Sequence, residues 1–177
     1  MQAEFVTVRD VLGKTYDTQV CSAARALEFV GERWSLLIIR DALFRGSTRF
    51  SDFRRLGIAT NILATRLDGF VDAELMRRHR YSDTADSFEY LLTDKGRELA
   101  GVIIALTEWG DRWAAPDGPP ILYTHTTCDG PITHQLRCAN CGEVHDASEV
   151  YVRPGPGMPP EIAAGMPVRS TAMSDRT

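Results

Sequence analysis

Two short spacings in this chain carry coordination chemistry. His125 and Cys128 stand as H-x2-C, and Cys138 and Cys141 as C-x2-C, with nine residues between the pairs. Each spacing closes on a turn, at Asp129-Gly130 and at Gly142, which brings two donor atoms to one side of the backbone. Three thiolates and an imidazole are a ligand set for tetrahedral zinc, at bond lengths of about 2.0–2.3 Å. His134 and His145 compete for the histidine place. A Cys138–Cys141 disulfide and a hairpin that has lost its metal are the alternatives. Four protein ligands leave no open coordination position, so a zinc held here is structural. The fourth cysteine, Cys21, precedes a helix. Amides at a helix start stabilise a thiolate, and Arg25 lies one turn along. That pattern suits a redox or electrophile sensor; the alternative is a small residue that packs the first helix.

A second chemistry lies between Arg45 and Arg80. Eight arginines there face four acids, a net charge of +4 in a chain that totals -4. A basic island suits phosphate contact, where cations displace condensed counterions. The alternative is a solvated helix face.

The elements that position these groups follow from the hydrophobic pattern. Residues 1–18 are irregular, with an alternating piece at 5–8. Residues 22–30 form a helix with Ala23, Leu27 and Val30 on one side, ended by Gly31. Residues 33–45 form a second helix, closed by Gly46. Its four consecutive aliphatics, 36–39, cover more than one face and place it centrally. A short helix begins with Ser51 as its cap and ends at Gly57. The next begins near Thr60 and carries Leu63, Leu67, Phe70 and Val71 at helical spacing. Two helices across a Gly-containing turn make a helix-turn-helix candidate. Strand 75–81, polar tip 82–87 and strand 88–92 then make a wing. Thr93 caps a long helix over 94–113, with Leu99, Val102, Ile103, Leu106, Trp109 and Trp113 in one stripe. A helix of that length and apolar breadth is expected to pair with another subunit.

The expected organisation is an N-terminal arm (1–18), a winged helix-turn-helix and dimerisation domain (19–114), a linker APDGPP (115–120), a zinc-ribbon-like module (121–153) and a disordered tail (154–177). The fold class is mainly α with a small β-wing (α+β), followed by a small β-rich Cys/His ribbon. The aliphatic runs are too short to span a bilayer, and the N-terminus carries no secretory pattern. The expected compartment is cytoplasmic, without membrane partners.

Residues 21–113 resemble the HxlR-type winged-helix regulators, relatives of the MarR regulators. The resemblance rests on CSAARALEFVGERWSLLIIRDALFRGSTRFSDFRRL, IATNILATRL, FEYLLTDKGREL and EWGD, in that order. It implies a homodimeric bacterial transcription factor on double-stranded operator DNA. Some members respond to oxidants or electrophiles through a cysteine near the start of the first helix, where Cys21 stands. The resemblance makes the helix at Thr60 the recognition helix, with Thr60, Asn61, Ala64 and Thr65 toward base edges and Arg66 toward a phosphate or an internal acid. Asn can bond adenine, and Thr can offer a methyl to thymine. Ser51, Arg54 and Arg55 would meet backbone phosphates. Arg77, Arg78, His79 and Arg80 would supply the wing, although alternation lets only half of them share a face. Related recognition helices often begin at Ser, where this chain has Ala59, so Thr60 is expected to take the cap.

A repressor is the leading expectation, with an unidentified small-molecule effector. The rival is a protein-interaction adaptor that uses the same winged helix and ribbon without duplex DNA; the overall negative charge favours it. No Ser/His/Asp spacing, phosphate loop or open metal site supports an enzyme.

Overall fold

Ile38 and Ile39 are fully buried, so α2 (Ser35–Phe44) forms the centre of the first unit. The structure is a computed structural model and describes residues 16, 19–81 and 88–166. The arm over most of 1–18, the wing tip 82–87 and the tail 167–177 lie outside the described residues. Two compact units divide between His134 and Gln135.

In the first unit, α1 (Ser22–Val30) precedes α2, and Gly31 ends it. Its packed side carries Ala24 and Val30, whereas the expected Ala23 and Leu27 face outward. The helix-turn-helix follows as α3 (Phe50–Phe53), a 3-10 turn (Arg54–Leu56) and α4 (Thr60–Asp72). Leu63, Leu67 and Phe70 of α4 share one face, and they bury against Phe53, Ile38, Ile39 and Met76 in one core. Gly57 leaves the turn at φ 76, the left-handed region that costs glycine nothing.

Strands β1 (Met76–Arg80) and β2 (Phe88–Leu92) pair antiparallel, with Arg78 opposite Tyr90 and Arg80 opposite Phe88. The segment before α3 joins this hairpin: Arg49 bridges Glu89, and the Tyr90 amide donates to the Thr48 carbonyl at 2.7 Å. The wing is thereby anchored to the helix-turn-helix from both ends.

Further expectations change. Ser51 is not the cap of α3, which already starts at Phe50. The Asp52 carboxylate serves that end instead, accepting from the amides of Arg49 at 2.9 Å and Thr48 at 3.2 Å. Thr60 is the first residue of α4 rather than its cap, a place taken by Ala59 without a side-chain bond. The long helix is two pieces, α5 (Asp94–Arg97) and α6 (Ala100–Ala114), because the Leu99 amide bonds three residues back to Gly96 and tightens the chain there. Thr93 does cap α5, its hydroxyl accepting from the Gly96 amide at 3.2 Å. Finally, the division at His134 falls inside the expected 121–153 module. Residues before it belong to the first unit, where the Tyr123 ring packs on Phe44 at 4.7 Å and the His134 amide donates to Glu108 at 2.8 Å.

In the second unit, β3 (Arg137–Cys138) and β4 (Gly142–Glu143) form a two-residue hairpin. The helical turn α7 (Pro160–Ala163) lies in the stretch expected to be disordered; Pro at its first position presets the backbone. Among the described residues, no helix is long and apolar enough to cross a membrane.

Candidate nucleic-acid interface

The inner face of α4 is fixed by Leu63, Leu67 and Phe70, so its outer face is fixed too. Thr60, Asn61 and Thr65 are exposed there and Ala64 is half-buried. Thr65 donates its hydroxyl back to the Asn61 carbonyl at 3.0 Å. Ser51, Arg54 and Arg55 are exposed on the preceding helix and turn. Arg77, Arg78, His79 and Arg80 are exposed along β1.

The arginines are not equivalent. Arg66, grouped by sequence with the DNA-facing residues, exposes only 14% of its side chain and pairs with Glu32 at 2.9 Å. Its spacing shows why: it lies three residues after Leu63 and four before Phe70, within the inner stripe. Arg78 pairs with Asp68 of α4 and lies over the rings of Tyr90 at 5.7 Å and Phe88 at 5.8 Å. Desolvation works against its charge, yet Tyr90 and Asp68 outweigh that and raise its pKa above the ordinary guanidinium value. Arg80 also lies over Phe88, at 5.7 Å, but has no carboxylate partner among the described residues. His79 stands 3.9 Å from Glu89. Sequence reasoning missed Arg49, which sits 4.4 Å over the Tyr81 ring and 3.4 Å from Glu89. It ties the segment before α3 to the tip-ward end of the wing strands, a long-range contact that no local spacing announces.

Cys21 is exposed and forms the N-cap of α1. Its sulfur makes no cap hydrogen bond within normal limits, yet the nearby amides of Ala24 and then Ala23 hold its pKa below the ordinary thiol value. Arg25, expected to help, turns instead to Glu28 at 2.7 Å and to the Gln19 carbonyl at 3.2 Å.

The other cysteines appear as two local pairs. In the first unit, His125 Nδ1 stands 3.3 Å from Cys128 Sγ, and the Asp129 amide donates to the His125 carbonyl at 2.9 Å. Two ligands of one tetrahedral zinc lie roughly 3.5 Å apart, given bonds of about 2.0–2.3 Å. In the second unit, the sulfur of Cys138 accepts from the amides of Cys141 and Asn140, which lowers its pKa. The hydrogen bond that the Cys141 thiol donates to Cys138, and the charge on Cys138, push the Cys141 pKa up. Among the described residues, no group of three or more His, Cys, Asp or Glu side chains is gathered as a metal site.

The HxlR-like helix-turn-helix pattern matches residues 29–118. An uncharacterized HTH-type transcriptional regulator of Mycobacterium tuberculosis (strain H37Rv) is 43% identical over 145 residues, covering 81% of this chain and 91% of that one. The crystal structure of PA1607 superposes with a TM-score of 0.69 at 35% identity, over 78% of this chain and 98% of the other. PA1374 from Pseudomonas aeruginosa superposes at 0.59 with 34% identity, over 82% of this chain and 100% of the other. With the matched pattern spanning more than half of its length, the chain belongs to the HxlR-like helix-turn-helix family of transcriptional regulators.

Proposed function

We propose that the protein is a dimeric, sequence-specific DNA-binding regulator, acting in the cytoplasm as a repressor. The observation that carries this reading is the outer face of α4, where Thr60, Asn61 and Thr65 are exposed, with exposed Arg54 and Arg55 before it in the chain and exposed Arg77 and Arg80, on opposite faces of β1, after it. The basic groups suit phosphates, and the helix face suits base edges. The exposed apolar residues of α6 support a second copy as partner, and a two-fold dimer places two recognition helices about 10 bp apart, or a multiple of that repeat. Cys21, exposed and acidified by two amides, supports a response to oxidants or electrophiles.

A structural zinc belongs to the same reading. Within the first unit His125 and Cys128, and within the second Cys138 and Cys141, each bring two zinc-type donor atoms side by side, which supports the reading.

Genome-wide mapping of bound DNA, with and without an oxidant, tests the main reading, together with gel shifts across a salt series. A regulator gives discrete palindromic sites and binding that weakens steeply with salt. Absence of any shift at low salt, with protein partners recovered instead, would establish the adaptor reading.

A further inference from the structure

Arg66 and Asp68 are two residues apart on α4, so their side chains leave the helix about 200° apart. Each is held by a residue from a different element. On one flank, Arg66 reaches Glu32, in the loop between α1 and α2, with Nη2 2.9 Å from Oε2. On the other, Asp68 receives Arg78 from the wing. We propose that Arg66 and Arg78 are positioning residues: two arginine–carboxylate ties, Arg66 to Glu32 and Arg78 to Asp68, stiffen the rotation that Leu63, Leu67 and Phe70 give α4 and so hold Thr60, Asn61 and Thr65 toward base edges. This rests on the DNA-binding reading and assigns those arginines a different task from Arg54, Arg55, Arg77 and Arg80.

The two ties differ in strength. Arg66 exposes 14% of its side chain, and its buried Nε has no hydrogen-bond partner among the described residues. Leaving Glu32 for a phosphate would take a largely buried guanidinium from its carboxylate, although Glu32 itself is 45% exposed. The Arg78–Asp68 pair is open to solvent, with Arg78 43% exposed. An isolated exposed pair contributes little. Arg78 is also fixed by the Tyr90 and Phe88 rings beneath it, so its guanidinium is held against the hairpin before Asp68 meets it. The pair also screens Asp68, an acid on the helix that would otherwise repel phosphates.

A phosphate contact and a positioning tie give opposite signatures. Losing a phosphate contact lowers the salt slope of log K by about one and weakens all sequences alike. Losing a tie leaves the slope and narrows the gap between preferred and scrambled DNA. The experiment measures both quantities for Glu32→Gln, Arg78→Ala and Arg66→Ala, with Arg77→Ala as the phosphate control. A pair swap, Asp68→Arg with Arg78→Asp, is included. Arg77→Ala is expected to lower the slope by about one at an unchanged ratio. Glu32→Gln and Arg78→Ala are expected to keep the slope and lose roughly two- to tenfold in the ratio, which the swap restores in part.

Hydrogen exchange of α4 in the free protein supplies a readout independent of DNA. Glu32→Gln and Asp68→Asn should each speed exchange over Thr60–Asp72. If that exchange rises while wild type binds no DNA, the ties stand as holders of α4 and the regulator reading fails. Unchanged exchange, or a slope lowered by about one with an intact ratio for Arg66→Ala and Arg78→Ala, overturns the proposal.

Discussion

The Thr93 hydroxyl donates to the Glu74 carbonyl at 2.6 Å, across nineteen positions of sequence. Glu74 stands at φ 57, where a side chain is strained, in the turn from α4 into the wing. Thr93 begins α5 at the wing's other end. Its amide donates to Leu75 at 3.1 Å, and Lys95 Nζ donates to the Ala73 carbonyl at 2.7 Å. One knot therefore fixes where the wing starts and where it stops.

Gly96 is the tightest point of that knot. A Cβ added there would stand 2.2 Å from the Leu75 carbonyl oxygen and 2.9 Å from Leu92 Cδ2. The first of these is backbone and cannot rotate away. Gly96→Ala is expected to cost about 1–3 kcal/mol of stability, measured by denaturant unfolding.

Asn61→Ala is expected to relax sequence preference at one base step, costing about 1–3 kcal/mol against the preferred site and little against scrambled DNA. Binding-site selection on a random library measures this. An unaltered preferred sequence would remove Asn61 from the major groove.

The lowered pKa of Cys21 sets the sign of two pH effects. Its alkylation, followed on the Cys21 peptide by mass spectrometry, should reach half-maximum below the pH of an ordinary thiol. Between the folded and the unfolded pKa, the unfolded chain holds more protons, so stability rises with pH through that window. The contribution is complete above the unfolded pKa and absent below the folded one. Cys21→Ser should flatten the rise.

Val102, Leu106, Trp109 and Trp113 of α6 are exposed large apolar residues. Light scattering at micromolar concentration is expected to give a dimer mass, and Leu106→Asp with Trp109→Asp a monomer of unchanged helix content. A monomeric wild type would end the pairing reading.

Protein purified without chelators is expected to carry about one zinc per chain, and Cys128→Ser or Cys138→Ser to lose it. Below about a tenth of an equivalent, with Cys138 and Cys141 found joined, the disulfide alternative replaces the metal.

The sequence was most legible where one local rule governs. The bounds of α1 follow from its start after Cys21 and its end at Gly31, and the strand at Phe88–Leu92 follows from its tip and the Thr93 cap. The start of α3 did not, because the neighbouring Asp52 carboxylate, not Ser51, accepts from the amides of Arg49 and Thr48. The break between α5 and α6 carries no proline, and the close packing of Gly96 that accompanies it is a tertiary fact. For the arginines, residue type gave charge but not direction. Arg66 was left open between a phosphate and an internal acid, although its place between Leu63 and Phe70 points inward; Arg78 was not legible, because its partner Asp68 becomes a neighbour only once the wing folds back on α4.

The chain contains three tryptophans, and their placement gives it a built-in optical gauge. Trp34 is half-buried beneath the Arg33 guanidinium, 5.3 Å from its ring centre, while Trp109 and Trp113 are 61% and 70% exposed on α6. Two of the three indoles thus sit in water on the very face proposed to meet a second copy. Intrinsic emission should therefore move to the red on dilution as copies separate, and to the blue as they join. Association can be followed without a label, on the same sample in which DNA is titrated.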